Sequence, residues 1–193
     1  MVDYRIPLPS SCEGCPFYQH GKYFTPDDIR EGTEVLFIAQ NPGPDEEKGR
    51  KLIERTWAYG KPHDTFEQVQ PGPLIGATGV QFNERFLPLA QLKRSEVSTA
   101  NAIRCRPGQS LGMPSDALPP ITSKMDLDRS RADIVKALKH CRDTYLKVPS
   151  TTKLIVTMGR YALFSLTGIQ NEENEYGEKY RDWETLRWGN NDE

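Results

Sequence analysis

Short apolar runs that end at turn residues alternate with amphipathic stretches along this chain. Glu34–Ala39 and Lys153–Met158 are nearly continuous apolar runs, and turn residues follow each of them. Such runs predict buried strands. Val97–Ile103 predicts a third strand between them. Arg131–Leu146 and Arg160–Leu166 have the spacing of helices, so strands and helices alternate.

The longer predicted helix carries one apolar stripe. Ile134, Leu138, Cys141 and Tyr145 follow one another at spacings of four, three and four residues. This spacing places them on one helical face, which we expect to pack on the core. Cys141 is therefore predicted to point inward, a position that permits a metal ligand without requiring one.

This alternation predicts a three-layer α/β/α fold with a mainly parallel central sheet. We expect one domain over residues 1–193. Sites in such folds gather at the carboxyl ends of the strands, which directs attention to the segments after Ala39, Ile103 and Met158. Gln70–Gly79 and Arg106–Pro120 read as long loops, which are uncommon unless they have a function.

Composition and charge narrow the class of protein. The net charge of -2 argues against a strongly basic nucleic-acid binder. No apolar run approaches the length of about 18 residues that a membrane span needs. The amino terminus lacks the basic and apolar parts of a signal peptide. We therefore expect a monomer in the cytoplasm with no membrane partner.

The chain has four cysteines, and their spacing is the strongest chemical signal. Cys12 and Cys15 form a C-x-x-C, whereas Cys105 and Cys141 stand far downstream and far apart. In a reducing compartment such a set favours metal binding or redox chemistry over disulfides. On spacing alone, a 4Fe-4S cluster, a zinc site and buried inert thiols all remain open.

Five motifs in this order resemble the iron-sulfur uracil-DNA glycosylases of the family 4 type, and the resemblance runs from Cys12 to about Gly168. They are the C-x-x-C, the turn Gln40–Gly43 with acids behind it, the loop Pro73–Gly79, the segment Asn101–Pro107 and the strand-to-helix turn at Gly159. The resemblance implies that Cys12, Cys15, Cys105 and Cys141 hold a 4Fe-4S cluster.

The resemblance also implies a site for uracil in DNA. Gln40, Asn41, Pro42 and Gly43 would lie against the pyrimidine and the attacking water, with Asn41 orienting that water. Asp45 and Glu46 would supply charge opposite the sugar cation; the alternative is a solvated first helical turn. Asn101 would read the uracil edge, or else cap a loop.

Arg104 and Arg106 flank Cys105 and are candidates for contact with DNA phosphates. Their alternative role is to offset the negative charge of the four thiolates. The family usually has Phe where this chain has Leu74, so we expect weaker stacking on the flipped base. The segment Lys48–Val69 has no counterpart in the family pattern.

The family also carries a late His that donates to the uracil oxygen, and this chain has no His after His140. Loss of such a donor slows chemistry roughly 100- to 1,000-fold. We therefore expect a domain truncated at its C-terminal end, or a catalytically idle DNA-binding relative. An electron carrier is a further alternative, but its cysteines would be spaced more tightly.

Overall fold

The chain alternates strands and helices as its hydrophobic pattern predicts. The computed structural model describes residues 4–19, 21, 23–58, 61–106 and 124–167. In chain order the elements are β1 (Ile6–Pro7), β2 (Tyr23–Phe24), β3 (Val35–Ala39), α1 (Pro44–Glu47), β4 (Arg50–Ala58), β5 (Lys61–Gln68), α2 (Ala77–Gln81), α3 (Leu87–Leu89), β6 (Val97–Asn101), α4 (Lys124–Tyr145), β7 (Leu154–Thr157) and α5 (Arg160–Thr167). A π-helical turn, Phe82–Phe86, joins α2 to α3.

A three-stranded parallel sheet forms the centre of the fold, in the order β6-β3-β7. Val35 is opposite Val97 on one side and Leu154 on the other, and Ala39 is opposite Asn101. The central strand β3 has a buried Leu36 and Ile38, because neighbouring strands and layers cover it on all sides. The predicted α/β fold with a parallel sheet is confirmed.

Helices cover both faces of this sheet. On one face, Leu36 and Ile38 belong to a core that also contains Ile134 and Leu138 of α4 and Phe164 of α5. On the other face, a second core joins the sheet to the Leu74 loop and to the helical segment that begins with α2; its buried members are Ala39, Leu74, Phe82, Leu87 and Val97. Successive side chains on a strand point to opposite faces, which explains the two cores.

The amino-terminal segment runs along the outer edge of β6. Strand β1 pairs with β2, and Phe24 forms an isolated bridge with Cys105. The Thr25 N–H donates to the Arg104 carbonyl oxygen (2.7 Å). Asp28 and Thr99 exchange two backbone hydrogen bonds of 2.8 and 2.9 Å. These bonds bring the C-x-x-C segment toward the Cys105 turn.

The segment without a family counterpart is an antiparallel hairpin of β4 and β5, with an irregularity between Leu52 and Glu54. Its base is fixed to the body, because Leu52 is buried and its N–H donates to the Ile75 carbonyl oxygen (3.0 Å). Gly49 has a φ of 62°, and a Cβ there would overlap the Val69 carbonyl. Glycine is therefore required where the hairpin leaves the body.

Element limits differ modestly from those expected. The third strand ends at Asn101 rather than Ile103, and α4 begins at Lys124 rather than Arg131. Residues 107–120 of the predicted long loop, Gly168 and the acidic end of the chain lie outside the described residues. The single domain over 1–193 stays a prediction. None of the described helices has the length and apolar character that a membrane span requires.

Candidate functional site

A cleft of about 680 Å³ opens at the carboxyl ends of the parallel strands. The chain leaves β3 on one face of the sheet and leaves β6 through α4 on the other, which creates the crevice that binds ligands in such folds. Eight of the residues singled out from the sequence line it: Gln40, Asn41, Pro42, Gly43, Asp45, Glu46, Leu74 and Arg106. Sequence motifs far apart in the chain therefore meet at one site.

The turn after β3 is held in place by the segment after β6. The Ala102 N–H donates to the Ala39 carbonyl oxygen (2.8 Å), and the Ile103 N–H donates to that of Gln40 (3.0 Å). The Asn41 side-chain amide donates to the Pro42 carbonyl oxygen (3.1 Å), which orients it within the turn. A Cβ on Gly43 would meet nothing within 4 Å. The backbone at Gly43 is thus open to close approach by a ligand.

Glu46 is a brace between two parts of the cleft. Its carboxylate accepts hydrogen bonds from the Gly43 N–H (2.8 Å) and from the Leu74 N–H (2.7 Å). The side chain is 7% exposed, and burial raises the pKa of Glu46 while the backbone hydrogen bonds oppose that shift. The alternative of a solvated helical turn is therefore wrong for Glu46. Charge opposite a sugar cation fits Asp45 better.

Asp45 also lines the cleft. Among the described residues, backbone N–H groups do not bind its carboxylate as they bind that of Glu46. Its Oδ1 lies 3.6 Å from Nη1 of Arg50, at the base of the β4–β5 hairpin. The Arg50 guanidinium also stacks over the Phe66 ring, 3.8 Å from its centroid. The hairpin therefore places a cation beside the carboxylate of Asp45 in the cleft.

Leu74 is the residue at the predicted stacking position. It is 2% exposed and packs with Phe82 and Ala39. Its φ of 59° is in the left-handed region, which is unusual for a residue with a branched side chain. A Cβ on Gly79 would overlap the Leu74 carbonyl, so the loop folds tightly onto the start of α2. Glu46 and Gly79 together hold Leu74 in this conformation.

Asn101 stands at the end of β6 and does not line the cleft directly. It is the partner of Ala39, which does line the cleft, and it is fully buried. Its Nδ2 and Oδ1 have no hydrogen-bond partner among the described residues. Its backbone N–H donates to Oδ1 of Asp27 (3.3 Å). A loop cap is therefore not what this amide does, and its two polar atoms are buried without a partner among the described residues.

Arg104 does not fit the predicted contact with DNA phosphate. It is 1% exposed; its Nη2 donates to Oδ2 of Asp27 (2.6 Å), and its Nη1 donates to the Cys141 carbonyl oxygen (3.3 Å). This correction follows from burial, because a phosphate cannot reach a guanidinium that is enclosed by protein. The alternative expectation, a cation that offsets charge near the cysteines, agrees with this placement: Arg104 lowers the pKa of the Cys141 thiol against the effect of burial.

Arg106 remains a candidate for contact with phosphate, since its side chain lines the cleft. Its backbone N–H donates to Oε1 of Glu47 (3.0 Å). Glu47 is buried, and burial raises the pKa of its carboxyl group while Arg106 opposes the shift. The Glu47 carboxylate thus fixes the backbone that presents the Arg106 side chain.

The four cysteines are free, buried and gathered on one side of the fold. Burial raises the pKa of the Cys105 thiol well above its ordinary value, and Cys141, Cys15 and Cys12 raise it further. Burial raises the pKa of Cys141 to about 11. Cys15, Cys105 and Cys141 belong to one buried core, and Cys12 Sγ lies 3.0 Å from the hydroxyl group of Tyr145 on α4, the helix that carries Cys141. The predicted convergence of the cysteines is supported by these contacts.

The four cysteines supply a donor set of thiols alone. A zinc ion with four cysteine ligands and a 4Fe-4S cluster both take such a set. Within the described ranges, no three His, Cys, Asp or Glu side chains are arranged to hold one metal ion. The chemistry of the donors therefore fits either group, and the choice of a cluster rests on the family resemblance.

Sequence reasoning missed Asp27, which lies between Asn101 and Arg104. Its segment, Thr25–Asp28, reads only as turn residues. Burial raises the pKa of Asp27, and the ion pair with Arg104 opposes this shift. The pairing depends on tertiary structure, so no local sequence signal could have found it.

The chain has a distant similarity to a known protein. No family model matches the chain. The chain is 22% identical over 161 residues to the type-4 uracil-DNA glycosylase of Sulfurisphaera tokodaii, an alignment that covers 82% of this chain and 56% of that protein. The chain thus spans little more than half the length of this curated relative. The chain is thus distantly similar to a type-4 uracil-DNA glycosylase, and its fold is α/β with a central parallel sheet.

Proposed function

We propose that the chain is a uracil-DNA glycosylase that hydrolyses the N-glycosidic bond of deoxyuridine in DNA and leaves an abasic site. The observation that carries the proposal is the cleft at the strand ends, where the turn after β3, Leu74 and Arg106 meet. These residues come from separate motifs of one family pattern, and a distant homologue bears that family's name. A deoxyuridine would have to leave the base stack to enter the cleft.

The residues would divide the work as follows. Leu74 and the Gln40–Gly43 turn pack against the extruded pyrimidine, with the open backbone at Gly43 allowing close approach. Asn41 orients the attacking water, because an amide positions a water but is too weak a base to deprotonate it. Asp45 supplies negative charge near the sugar as it becomes cationic. Arg106 contacts a phosphate of the strand.

Asn101 reads the uracil edge in this proposal. Its amide offers the paired donor and acceptor that this edge requires. Support comes from its unpaired and fully buried polar atoms, opposite the cleft-lining Ala39 in the sheet. Because Asn101 itself does not line the cleft, contact with the base requires the residues between them to move. Burial of unpaired polar atoms costs about 1 to 3 kcal/mol, a cost that a bound base would remove.

Cys12, Cys15, Cys105 and Cys141 would hold a 4Fe-4S cluster with a structural role. When bound, the cluster supplies four thiolate bonds that join the amino-terminal segment, the turn after β6 and α4. The chain's own residues carry the reaction. The absence of a disulfide among these four cysteines supports a reducing compartment, and we propose the cytoplasm.

The test is release of uracil from a single-stranded oligonucleotide by anaerobically purified protein. An undamaged strand controls for nonspecific breakage, and an Asn101→Ala variant controls for a contaminating glycosylase. Release that requires uracil and falls in the variant supports the proposal. The second candidate function is a catalytically idle DNA binder, which the full burial of Asn101 outside the cleft lining favours. Binding of the uracil strand without release would select that candidate.

A further inference from the structure

A buried polar connection joins the end of β6 to the cysteine-bearing helix α4. Asp27 lies at its centre: Oδ1 accepts from the Asn101 N–H (3.3 Å), and Oδ2 accepts from Arg104 Nη2 (2.6 Å). Arg104 continues the connection, because its Nη1 donates to the Cys141 carbonyl oxygen (3.3 Å). The side chains of Asp27 and Arg104 are only 10% and 2% exposed. The connection is therefore shielded from water and salt.

Each end of this connection is a candidate functional group. One end is Asn101, whose buried amide has no partner among the described residues and lies beside the cleft-lining Ala39. The other end is Cys141, one of the four gathered thiols. Between them stands the turn Asn101–Cys105, whose backbone is bonded to Ala39, Gln40 and Thr25. A movement of this turn therefore changes the cleft and the cysteine site together.

Asp27 contacts both ends of the Asn101–Arg104 segment through one carboxylate. The backbone of its neighbour Asp28 is paired with Thr99, so the Asp27 carboxylate has a fixed anchor. A buried arginine that loses its carboxylate partner is strongly unfavourable, so Arg104 holds its position only while Asp27 is charged and in place. The forked guanidinium can bond Asp27 and the Cys141 carbonyl at the same time, which a lysine cannot do.

We propose that Asp27 is a positioning residue that couples the four-cysteine site to the base-reading amide of Asn101. This inference rests on the proposed function, since it takes uracil as the ligand of Asn101. Uracil bound to Asn101 fixes one end of the turn, and the Asp27–Arg104 pair transmits that restraint to Cys105 and Cys141. Opening of the cysteine site then requires release of the base.

The test measures how far free uracil slows iron release from the purified protein to a chelator. If opening requires release of the base, uracil at ten times its Kd slows iron loss about tenfold. Asp27→Asn keeps an acceptor for the Asn101 N–H but turns an amide N–H toward Arg104. In this variant we expect no protection by uracil at ten times its own Kd. Uracil Kd is measured on the same samples by NMR.

Asp28→Asn is the matched control. Asp28 is the neighbouring residue, and it forms ion pairs with Arg30 and Arg94, both at 2.9 Å, without contact to Asn101 or Arg104. It should keep the full protection of the unmodified chain. If Asp27→Asn does not fold or load iron, Arg104→Lys takes its place, because it retains the charge but cannot bond both partners.

The outcomes distinguish the coupling through Asp27 from the proposed function. Protection of the unmodified chain and of Asp28→Asn, with none in Asp27→Asn or in its Arg104→Lys replacement, supports the coupling. Equal protection in all proteins overturns it, as does uracil that binds the unmodified chain without slowing iron release. Failure of the unmodified chain to bind uracil overturns the coupling, whereas the proposed function is decided separately by release of uracil from DNA.

Discussion

Glu46 acts on this cleft through the backbone rather than through a ligand. Its two carboxylate oxygens accept from Gly43 and Leu74, so one side chain sets the distance between the turn and the stacking position. Leu74 needs that restraint because its φ of 59° is intrinsically unfavourable. At the scale of single residues, Glu46 therefore shapes the cleft, although the family motif alone assigns this residue to catalysis.

We predict that Glu46→Gln lowers the free energy of unfolding by about 1 to 3 kcal/mol, because one of the two backbone N–H groups then faces an amide N–H. Urea unfolding followed by circular dichroism measures this change. Glu96→Gln is the matched control: Glu96 also accepts from a backbone N–H, that of Lys93, but at an exposed position (2.6 Å). We expect that variant to stay within about 0.5 kcal/mol of the unmodified chain. Equal losses in both variants would contradict the role of the brace.

The raised pKa of Glu46 also predicts a pH dependence. The folded state holds the proton of this carboxyl group to higher pH than the unfolded state does, because burial disfavours the charged form. The contribution of Glu46 to stability therefore falls as pH rises from the ordinary carboxyl value of 4.5 through the raised pKa, and is level above it.

The difference in unfolding free energy between the unmodified chain and Glu46→Gln isolates this effect, because the other buried carboxyl groups, Asp27 and Glu47, are common to both. We expect this difference to shrink as pH rises above 4.5 and to level off above the raised pKa of Glu46. A difference that grows with pH would mean that the charged form is favoured by folding.

Arg106→Gln should weaken binding of single-stranded DNA in a salt-dependent manner. Its side chain lines the cleft, so its loss removes one phosphate contact and reduces the slope of log affinity against log salt by about 1. Fluorescence anisotropy across a salt series measures this slope. Arg55→Gln is the control, since Arg55 is paired with Asp64 (2.7 Å) on the hairpin. Identical slopes in the two variants would remove Arg106 from the interface.

At the scale of elements, burial decides what the hydrophobic pattern can predict. Strand β3 was predicted because its buried side chains select an apolar run. Strand β7 is also an apolar run although it is only partly buried, whereas β6 is fully buried but contains Ser98, Thr99 and Asn101. The β4–β5 hairpin was not predicted, because most of its described side chains are exposed and leave no alternating pattern; Leu52 is its buried anchor. The first turns of α4 were missed because residues 124–130 carry no apolar stripe like that of Ile134, Leu138 and Cys141.

The candidate site was predicted as far as it is made of local motifs. The turn Gln40–Gly43 and Leu74 follow strand and loop signals, and they do meet at the cleft. Arg104 was assigned to the surface because sequence gives its charge but not its burial. Asp27 was missed because its partners, Asn101 and Arg104, are far away in the chain. Pairings of this kind are set by the tertiary fold.

Because the Leu74 loop packs closely on α2, we predict that one added methyl group at Gly79 lowers the stability of the fold. Gly79→Ala would force a Cβ into the Leu74 carbonyl, which is backbone and cannot turn away. We expect a loss of about 1 to 3 kcal/mol in unfolding free energy. Gly72→Ala is the control in the same loop, because a Cβ there meets nothing within 4 Å. Thermal and urea unfolding of both variants measures the contrast, and equal stability would contradict the close approach.

At the scale of the whole molecule, the cleft and the cysteine site share one framework. The turn after β6 contributes Asn101 to one and Cys105 to the other, and the amino-terminal segment contributes Asp27 and Cys12. Helix α4 brings Cys141 to the same side, and the hydroxyl group of its Tyr145 lies 3.0 Å from Cys12 Sγ. We therefore expect the cysteines to hold together segments that the core alone fixes less firmly.

Cys105→Ala should abolish iron binding and the brown colour of the protein, and it should lower the melting temperature. The reason is that, in the proposed function, all four thiolates would hold the cluster, so the loss of one leaves an iron without its ligand. Iron analysis and calorimetry measure the two effects. Ile134→Val is the control: Ile134 lies in the same core on α4, and this change costs about 0.5 to 1.5 kcal/mol while iron stays bound. Normal folding of Cys105→Ala without iron would contradict a structural cluster.

The most direct test of the central claim is single-turnover release of uracil from a single-stranded oligonucleotide by the iron-loaded chain and by Asn101→Ala. We predict release that requires uracil in the strand and that falls roughly 10- to 100-fold in the variant, because the lost hydrogen bonds to the base edge are worth about 1 to 3 kcal/mol. A folded, iron-loaded chain that binds the strand and releases no uracil would contradict the claim, as would equal release by both proteins.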